Sequence, residues 1–389
     1  MQFIHNFRNL TKKPMAVYVL TFLTLLVVVS FFSLGNLIMA YKNGEEINNQ
    51  TTGEDHLESD FTANVLGKNL FLNLNGGMRR ILGQREMNGV VLLDNGFLAE
   101  VNEPVDQAIL TKNARHMATL QQELEQRDIP LLYVLTPYKI QASDPELPHE
   151  IEDSTNDVMD AYIEQLQNEG VQPLDLRESF LQNSTNPYEL FYRTDHHWNI
   201  QGGFFAYTVI ARQAEKLLKV QVDPALLSKE QFVEEVYPRW HLGSYGQRTG
   251  ALFAGGADDF SLLLPNFATT IVNTSTGDQG TFEEIVLDQS YLQKKDATSR
   301  YTYDRVLRLG NFQSLTTGCG KKVLLVCDSM GRAVLPYLTL AFGDVCYVDA
   351  YNPQNLTKEL LDSYQPDLVI VMHYPTVVFT TDAFAFPDV

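Results

Sequence analysis

In the run FYRTDHHWNIQGG, residues 191–203, one aspartate, two histidines and a tryptophan stand side by side as Asp195, His196, His197 and Trp198, and far along the chain the apolar run KKVLLVC leads into Asp328 and Ser329. An aspartate, a histidine and a serine suffice for acyl transfer through a covalent intermediate. The carboxylate fixes the imidazole tautomer, the imidazole takes the hydroxyl proton, and the serine oxygen attacks the acyl carbon. In an extended segment residues two apart face one side. Asp195 is therefore expected to accept from Nδ1–H of His197 and leave Nε2 free for Ser329, with His196 turned to the opposite side. Taken singly, each residue has a plainer role: Asp328, Ser329, Asp195 and Asn199 as helix caps, and His197 and Trp198 as core. A metal centre is not expected, because no HExxH, His/Cys run or further carboxylate cluster completes a ligand set around the paired histidines. No cofactor is expected either.

These residues need elements that bring them together. The apolar runs IPLLYVLTP (129–137), VQPLDL (171–176), KKVLLVCDS (321–329), DVCYVDAY (344–351) and PDLVIVMH (366–373) read as parallel strands, and the stretches 104–127, 154–168, 200–218, 330–341 and 355–363 as crossover helices. The alternation predicts an α/β domain of three layers around a doubly wound, mostly parallel sheet. Ser329 then sits where a strand ends and a helix begins, beside backbone N–H groups able to meet an oxyanion. GVVLLDNGFLAEV (89–101) reads as a hairpin about Asp94-Asn95-Gly96. The mixed polar, glycine-rich and aromatic segment 219–320 reads as an insertion near the strand ends.

Further candidates line up around that expected site. In the loop SYGQRTG, the Gly246 N–H or the Arg248 guanidinium offers an oxyanion donor, against the plain reading of a solvated loop. Lys139 and Arg332 offer charges that would hold a substrate, against ordinary surface charge, and Tyr245, Trp240 and Trp198 offer aromatic faces, against core packing. His373, at the end of the last strand, is the reserve base, and Cys327 is expected as a small buried packing group. Three cysteines, Cys319, Cys327 and Cys346, make no disulfide framework, so the core must carry the fold.

A formal net charge of -19 argues against a nucleic-acid partner. From Pro14 to Tyr41 no residue is charged, and this stretch matches the roughly 20 residues a bilayer core requires. Arg8, Lys12 and Lys13 precede it and Glu45 and Glu46 follow, so the positive-inside rule predicts a cytoplasmic tail (1–14), a single transmembrane helix (15–41), a polar linker (42–60) and an extracellular domain (61–389).

The segment TDHHWN resembles the signature of the DHHW family of surface proteins, which is similar to the SGNH-like acetyltransferases that modify alginate. The resemblance places Asp195 and His197 on the acid and base positions and Ser329 of VLLVCDSMG on the nucleophile. It extends over NGVVLLDNGFLAEV, the TPYK stretch at Lys139, the helix after Gly202-Gly203 and the PDLVIVMHYP strand, roughly residues 60–375. Two departures stand out: Cys327 replaces the glycine usual before Asp-Ser, and no Gly-x-Asn-Asp block completes an oxyanion hole. The resemblance implies an SGNH-hydrolase-like fold. It also implies an extracytoplasmic O-acyltransferase, transferring acetyl to a surface polysaccharide and receiving it from a membrane-bound O-acyltransferase partner. A carbohydrate esterase with the same triad and a non-catalytic glycan-binding or scaffold protein are the alternatives.

Overall fold

The computed structural model describes residues 18–24, 27, 30, 68–183, 186–293, 306–380 and 383–387. The chain falls into two units, Met1–Met78 and Arg79–Val389. The expected tail and linker, and most of the expected membrane span, lie outside the described residues. Residues 18–24, 27 and 30 are helical, and among the described residues no helix is long and apolar enough to cross a membrane.

In chain order the strands of the second unit are β1 (Glu86–Met87), β2 (Val90–Leu92), β3 (Leu98–Ala99), β4 (Leu131–Leu135), β5 (Leu174–Asp175), β6 (Phe232–His241), β7 (Asp258–Pro265), β8 (Ile271–Asn273), β9 (Gln279–Gly280), β10 (Phe312–Ser314), β11 (Lys321–Cys327), β12 (Gly343–Asp349) and β13 (Leu368–His373). The helices that build the layers are α1 (Gln107–Glu125), α2 (Thr155–Asn168), α3 (Leu176–Asn183), α4 (Ile200–Leu218), α5 (Ser244–Thr249), α6 (Leu335–Phe342) and α7 (Lys358–Tyr364). The central sheet has the order β5-β4-β13-β11-β12-β10-β8-β9. Its first five strands are parallel and its last three antiparallel. All five strands and all five helices expected from the apolar runs are present, and β2 and β3 pair as the expected hairpin.

Side chains alternate across a strand, so each central strand feeds two cores. Val323, Leu325 and Cys327 of β11 pack with Leu132 and Val134 of β4 and with α4 and α6. Leu324 and Val326 pack on the other face with Val369 and Val371 of β13 and with α1, α2 and α7. This is the three-layer arrangement. Connections leave β4 toward β5 and β11 toward β12, so winding reverses between them, and ligand crevices of such sheets open there, beyond the strands' carboxyl ends. Ser329 stands there, opening a short 3-10 helix, Ser329–Ala333.

Segment 219–320 does more than interrupt the alternation. It extends the central sheet by β8, β9 and β10, forms the separate pair β6-β7, and carries α5. Helix α4 in turn presses on the serine turn: a Cβ at Gly203, in its first turn, would come 2.3 Å from the Ala333 Cβ. Gly203→Ala should therefore overpack the contact by about 1–3 kcal/mol. Chemical denaturation should show that loss, together with slower covalent labelling of Ser329; unchanged stability would contradict this packing.

Candidate active site

The loop that holds the acid and base is closed at its foot by a bridge between Phe191 and Trp198, with Tyr192 N–H donating to His197 O at 3.1 Å. Asn199 then caps α4, its Oδ1 accepting from Gln201 N at 3.0 Å and Gly202 N at 3.1 Å. Trp198 is fully buried and stacks on Phe180 with centroids 6.0 Å apart, so it anchors the loop in the core and offers no face to a substrate. Thr194 pins the loop to β7, its N–H and Oγ1–H reaching Asp258 Oδ2 at 2.8 and 2.7 Å.

Asp195, His197 and Ser329 come together as one hydrogen-bonded line. His197 Nδ1 lies 2.9 Å from Asp195 Oδ1, and its Nε2 lies 2.7 Å from Ser329 Oγ. Asp195 and His197 are buried while Ser329 keeps partial exposure. The pairing is as expected, but its backbone is not extended. Residues 193–197 are a run of bends, and Asp195 Oδ1 also accepts from His197 N at 3.3 Å, so the side chain folds its own loop back. His196 consequently does not turn away: its Nδ1 lies 3.0 Å from the same carboxylate oxygen, and its ring centre is 3.8 Å from that of His197.

The other half of the Asp195 environment comes from the end of β6 and the start of α5. His241 Nε2 lies 3.0 Å from Asp195 Oδ2, Ser244 N–H donates to the same oxygen at 3.1 Å, and Ser244 Oγ–H lies 3.2 Å from Oδ1. Gly243 permits this approach, since a Cβ there would fall 2.3 Å from the Asp195 Cβ. Burial alone would raise the Asp195 carboxyl, but the charges and hydrogen bonds of His197 and His196 hold it well below the usual carboxylate range. His241 and Ser244 carry no sequence signal of their own; only the pairing of β6 with β7 delivers them to the loop.

Several candidates occupy other places. Lys139 is buried and is not a surface charge: its Nζ donates to Leu98 O at 2.8 Å and to Asp195 O, between the rings of Phe97 and Tyr245. It braces the loop from behind and does not face a substrate. Gly246 N–H is committed to Thr194 O at 3.0 Å, and Arg248 binds Glu100 and, at 2.7 Å, Asn88 O, so neither is an oxyanion donor. Arg332 Nη1 donates to Leu307 O at 2.8 Å, against the chain and away from the substrate role expected of it. Tyr245 is buried with its hydroxyl 3.3 Å from that of Tyr374, and Trp240 is buried against Phe260, so both are packing residues. His373 is ruled out as base by strand alternation. It faces the core opposite Cys327, meeting Tyr133 and Phe384, and burial lowers it to about 4. Cys327 is fully buried, as expected. At the serine turn Met330 N–H goes to Asp328 Oδ1 and Gly331 N–H to Asp328 O, while Asp328 Oδ2 accepts from Tyr374 N at 2.7 Å.

A buried line of carboxylate, imidazole and hydroxyl at the carboxyl end of a parallel sheet can activate a serine for acyl chemistry. Residues 97–285 match the family described as SGNH hydrolase-like domain, acetyltransferase AlgX. The chain carries an SGNH hydrolase-like acetyltransferase domain. That makes it an enzyme of this kind. The matched residues hold Asp195 and His197, and Ser329 follows them. No curated protein matches the chain in sequence. Solved structures share the SGNH-like fold. Bacillus cereus PatB1 is 17% identical with a TM-score of 0.62, covering 76% of this chain and 99% of its own. A DHHW family protein from Eubacterium siraeum is 17% identical with a TM-score of 0.56, covering 77% of this chain and 95% of its own. The O-acetyltransferase domain of Pseudomonas putida AlgJ is 16% identical with a TM-score of 0.51, again covering 77% and 95%.

Asp195, His196 and His197 also each offer a metal-ligand atom, all within 4.8 Å of one another. Using His197 in that way would take Nδ1 from Asp195 or Nε2 from Ser329.

Burial lowers the Lys139 amine to about 7, whereas in the unfolded chain it stays protonated to about 10.4. Between those values the unfolded state binds the extra proton, so this group makes stability rise with pH over that window. Lys139→Met should remove that rise. Urea unfolding at about pH 7 and pH 9.5 checks it: the difference in stability between wild type and variant should grow with pH, and a constant difference would contradict a buried, neutralised amine.

Proposed function

We propose that the chain is a membrane-anchored, extracytoplasmic O-acyltransferase that moves an acetyl group onto a hydroxyl of a cell-surface polysaccharide through an acyl-Ser329 intermediate. The observation that carries this reading is the unbroken line from Asp195 through His197 to Ser329, at the carboxyl edge of the sheet. In the first half-reaction His197 Nε2 takes the Ser329 proton as Oγ attacks the acyl carbon. The imidazolium, facing the Asp195 carboxylate, then returns that proton to the departing group. In the second, a sugar hydroxyl gives its proton to the same Nε2 and attacks the ester, and the proton returns to Ser329. In this reading Ser329's own N–H would meet the oxyanion, while the next two N–H groups of the turn serve Asp328.

The uncharged stretch from Pro14 to Tyr41 supports an anchor with the domain outside, where a membrane-bound O-acyltransferase partner would supply the acyl group. A cofactor has no step to perform in this scheme. The acceptor class is inferred from the likeness to the AlgX acetyltransferase family and to the O-acetyltransferase domain of Pseudomonas putida AlgJ.

The test is intact mass after brief exposure of the purified protein to p-nitrophenyl acetate, with and without an oligosaccharide acceptor. Wild type should carry a single acetyl group, Ser329→Ala none, Asp195→Asn should acylate roughly 10⁴-fold more slowly, and His197→Ala more slowly still, by up to about 10⁶-fold. Acceptor should discharge the adduct faster than water does. Discharge by water alone would make the protein an esterase, and a folded protein that never acylates would end the acyl-enzyme reading.

A further inference from the structure

We propose that Asp195, His196 and His197, with Ser244 beside them, form a site for a divalent transition metal, zinc foremost, whose occupancy switches the serine off. The site is absent from a sequence reading because its fourth donor arrives from the distant start of α5, and because His196 is expected to face the other way. In the fold, four donor atoms gather. His197 Nδ1 and His196 Nδ1 lie 2.9 and 3.0 Å from Asp195 Oδ1. Ser244 Oγ lies 2.9 Å from His196 Nδ1 and 3.2 Å from Asp195 Oδ1. Zinc bonds to nitrogen and oxygen of about 2.0–2.1 Å give a tetrahedron with edges of roughly 3.3 Å. The four pairs given above lie at 2.9–3.2 Å and need open by only a few tenths of an ångström, and the ligand atoms of Asp195, His196 and His197 all lie within 4.8 Å of one another, with Ser244 Oγ or a water as the fourth ligand. Two imidazoles and one carboxylate suit zinc, copper or nickel better than magnesium or calcium.

The surroundings favour the same reading. His241 and Ser244 N–H hold the other carboxylate oxygen, Oδ2, so Asp195 arrives as a ligand already oriented. The His196 side chain is 21% exposed while Asp195 is fully buried, which makes His196 the entry side for an ion.

Metal on Nδ1 has a definite consequence for His197. A neutral imidazole carries one N–H, so occupying Nδ1 moves that hydrogen to Nε2. Nε2 then presents a donor to Ser329 where the reaction needs an acceptor, and the serine loses its base. The switching effect rests on the acyl-Ser329 mechanism proposed for this protein, whereas the metal site itself does not.

The test uses full-length protein stripped with a chelator and titrated with zinc chloride against a chromogenic chelator, alongside timed labelling of Ser329 by a fluorophosphonate. Wild type should bind a single zinc, and zinc should slow labelling about tenfold or more, reversed by EDTA. His196→Ala should weaken zinc about tenfold or more, the least expected for loss of a direct ligand. His196→Asn, with a polar side chain in place, covers the case in which alanine disturbs the loop. Equal zinc affinity in wild type and both variants, or bound zinc that leaves labelling unchanged, would overturn the proposal. Should Ser329 fail to label even without metal, the acyl-enzyme reading falls, and the zinc stoichiometry and variant comparison still decide the site.

Discussion

A carboxylate held away from water costs several kcal/mol unless its oxygens are fully hydrogen-bonded, and Asp195 is such a group, with no exposed surface. Its Oδ1 faces His197, His196 and the Ser244 hydroxyl, and its Oδ2 faces His241 and the Ser244 N–H. Those partners come from two segments that the chain separates by the whole of α4 and all of β6 but its last residue. Satisfying this one charge therefore forces the loop at 191–198 and the start of α5 into contact. The serine turn is placed against the same loop from a third direction by α4, whose Gly203 lets it sit close to Ala333.

Asp328 plays a matching part on the other side of the nucleophile. Its Oδ1 caps the turn through Met330 N–H and its Oδ2 reaches across to Tyr374 N–H, so the turn after β11 is tied to the end of β13. The expectation that Asp328 caps a helix and the expectation that Ser329 is a nucleophile are thus compatible: the cap positions the residue beside it. Lys139 completes the frame from behind, joining Asp195 O to Leu98 O and so fastening the loop to the β2-β3 hairpin.

Much of this arrangement is legible in the sequence. Four strongly apolar runs correspond to buried parallel strands and the mixed run VQPLDL to the short, half-buried edge strand β5, with the periodic stretches between them forming the helices of both outer layers; burial on two faces leaves the continuous apolar signal of the inner strands. The trio Asp195, His197 and Ser329 is legible from residue type and from its resemblance to a known signature. What escapes has identifiable causes. Strands β8, β9 and β10, two or three residues each and partly polar, are too short to show a period, so segment 219–320 reads as an insertion although it extends the sheet. His196 is misdirected because two-residue alternation holds for extended chain and not for a run of bends. Lys139 in TPYK looks like a solvent-facing charge, and no local pattern distinguishes a lysine whose amine is claimed by two distant carbonyls from one that faces water. His241 and Ser244 become relevant only through long-range pairing.

If Asp195 dictates the protonation of the histidines around it, nitrogen-15 NMR of the histidine side chains in metal-free protein near neutral pH is the most direct test. His197 should carry its proton on Nδ1 and His241 on Nε2, with both hydrogen bonds broken or shifted by Asp195→Asn. His197 protonated on Nε2, or histidine signals indifferent to that substitution, would contradict the central role of this carboxylate.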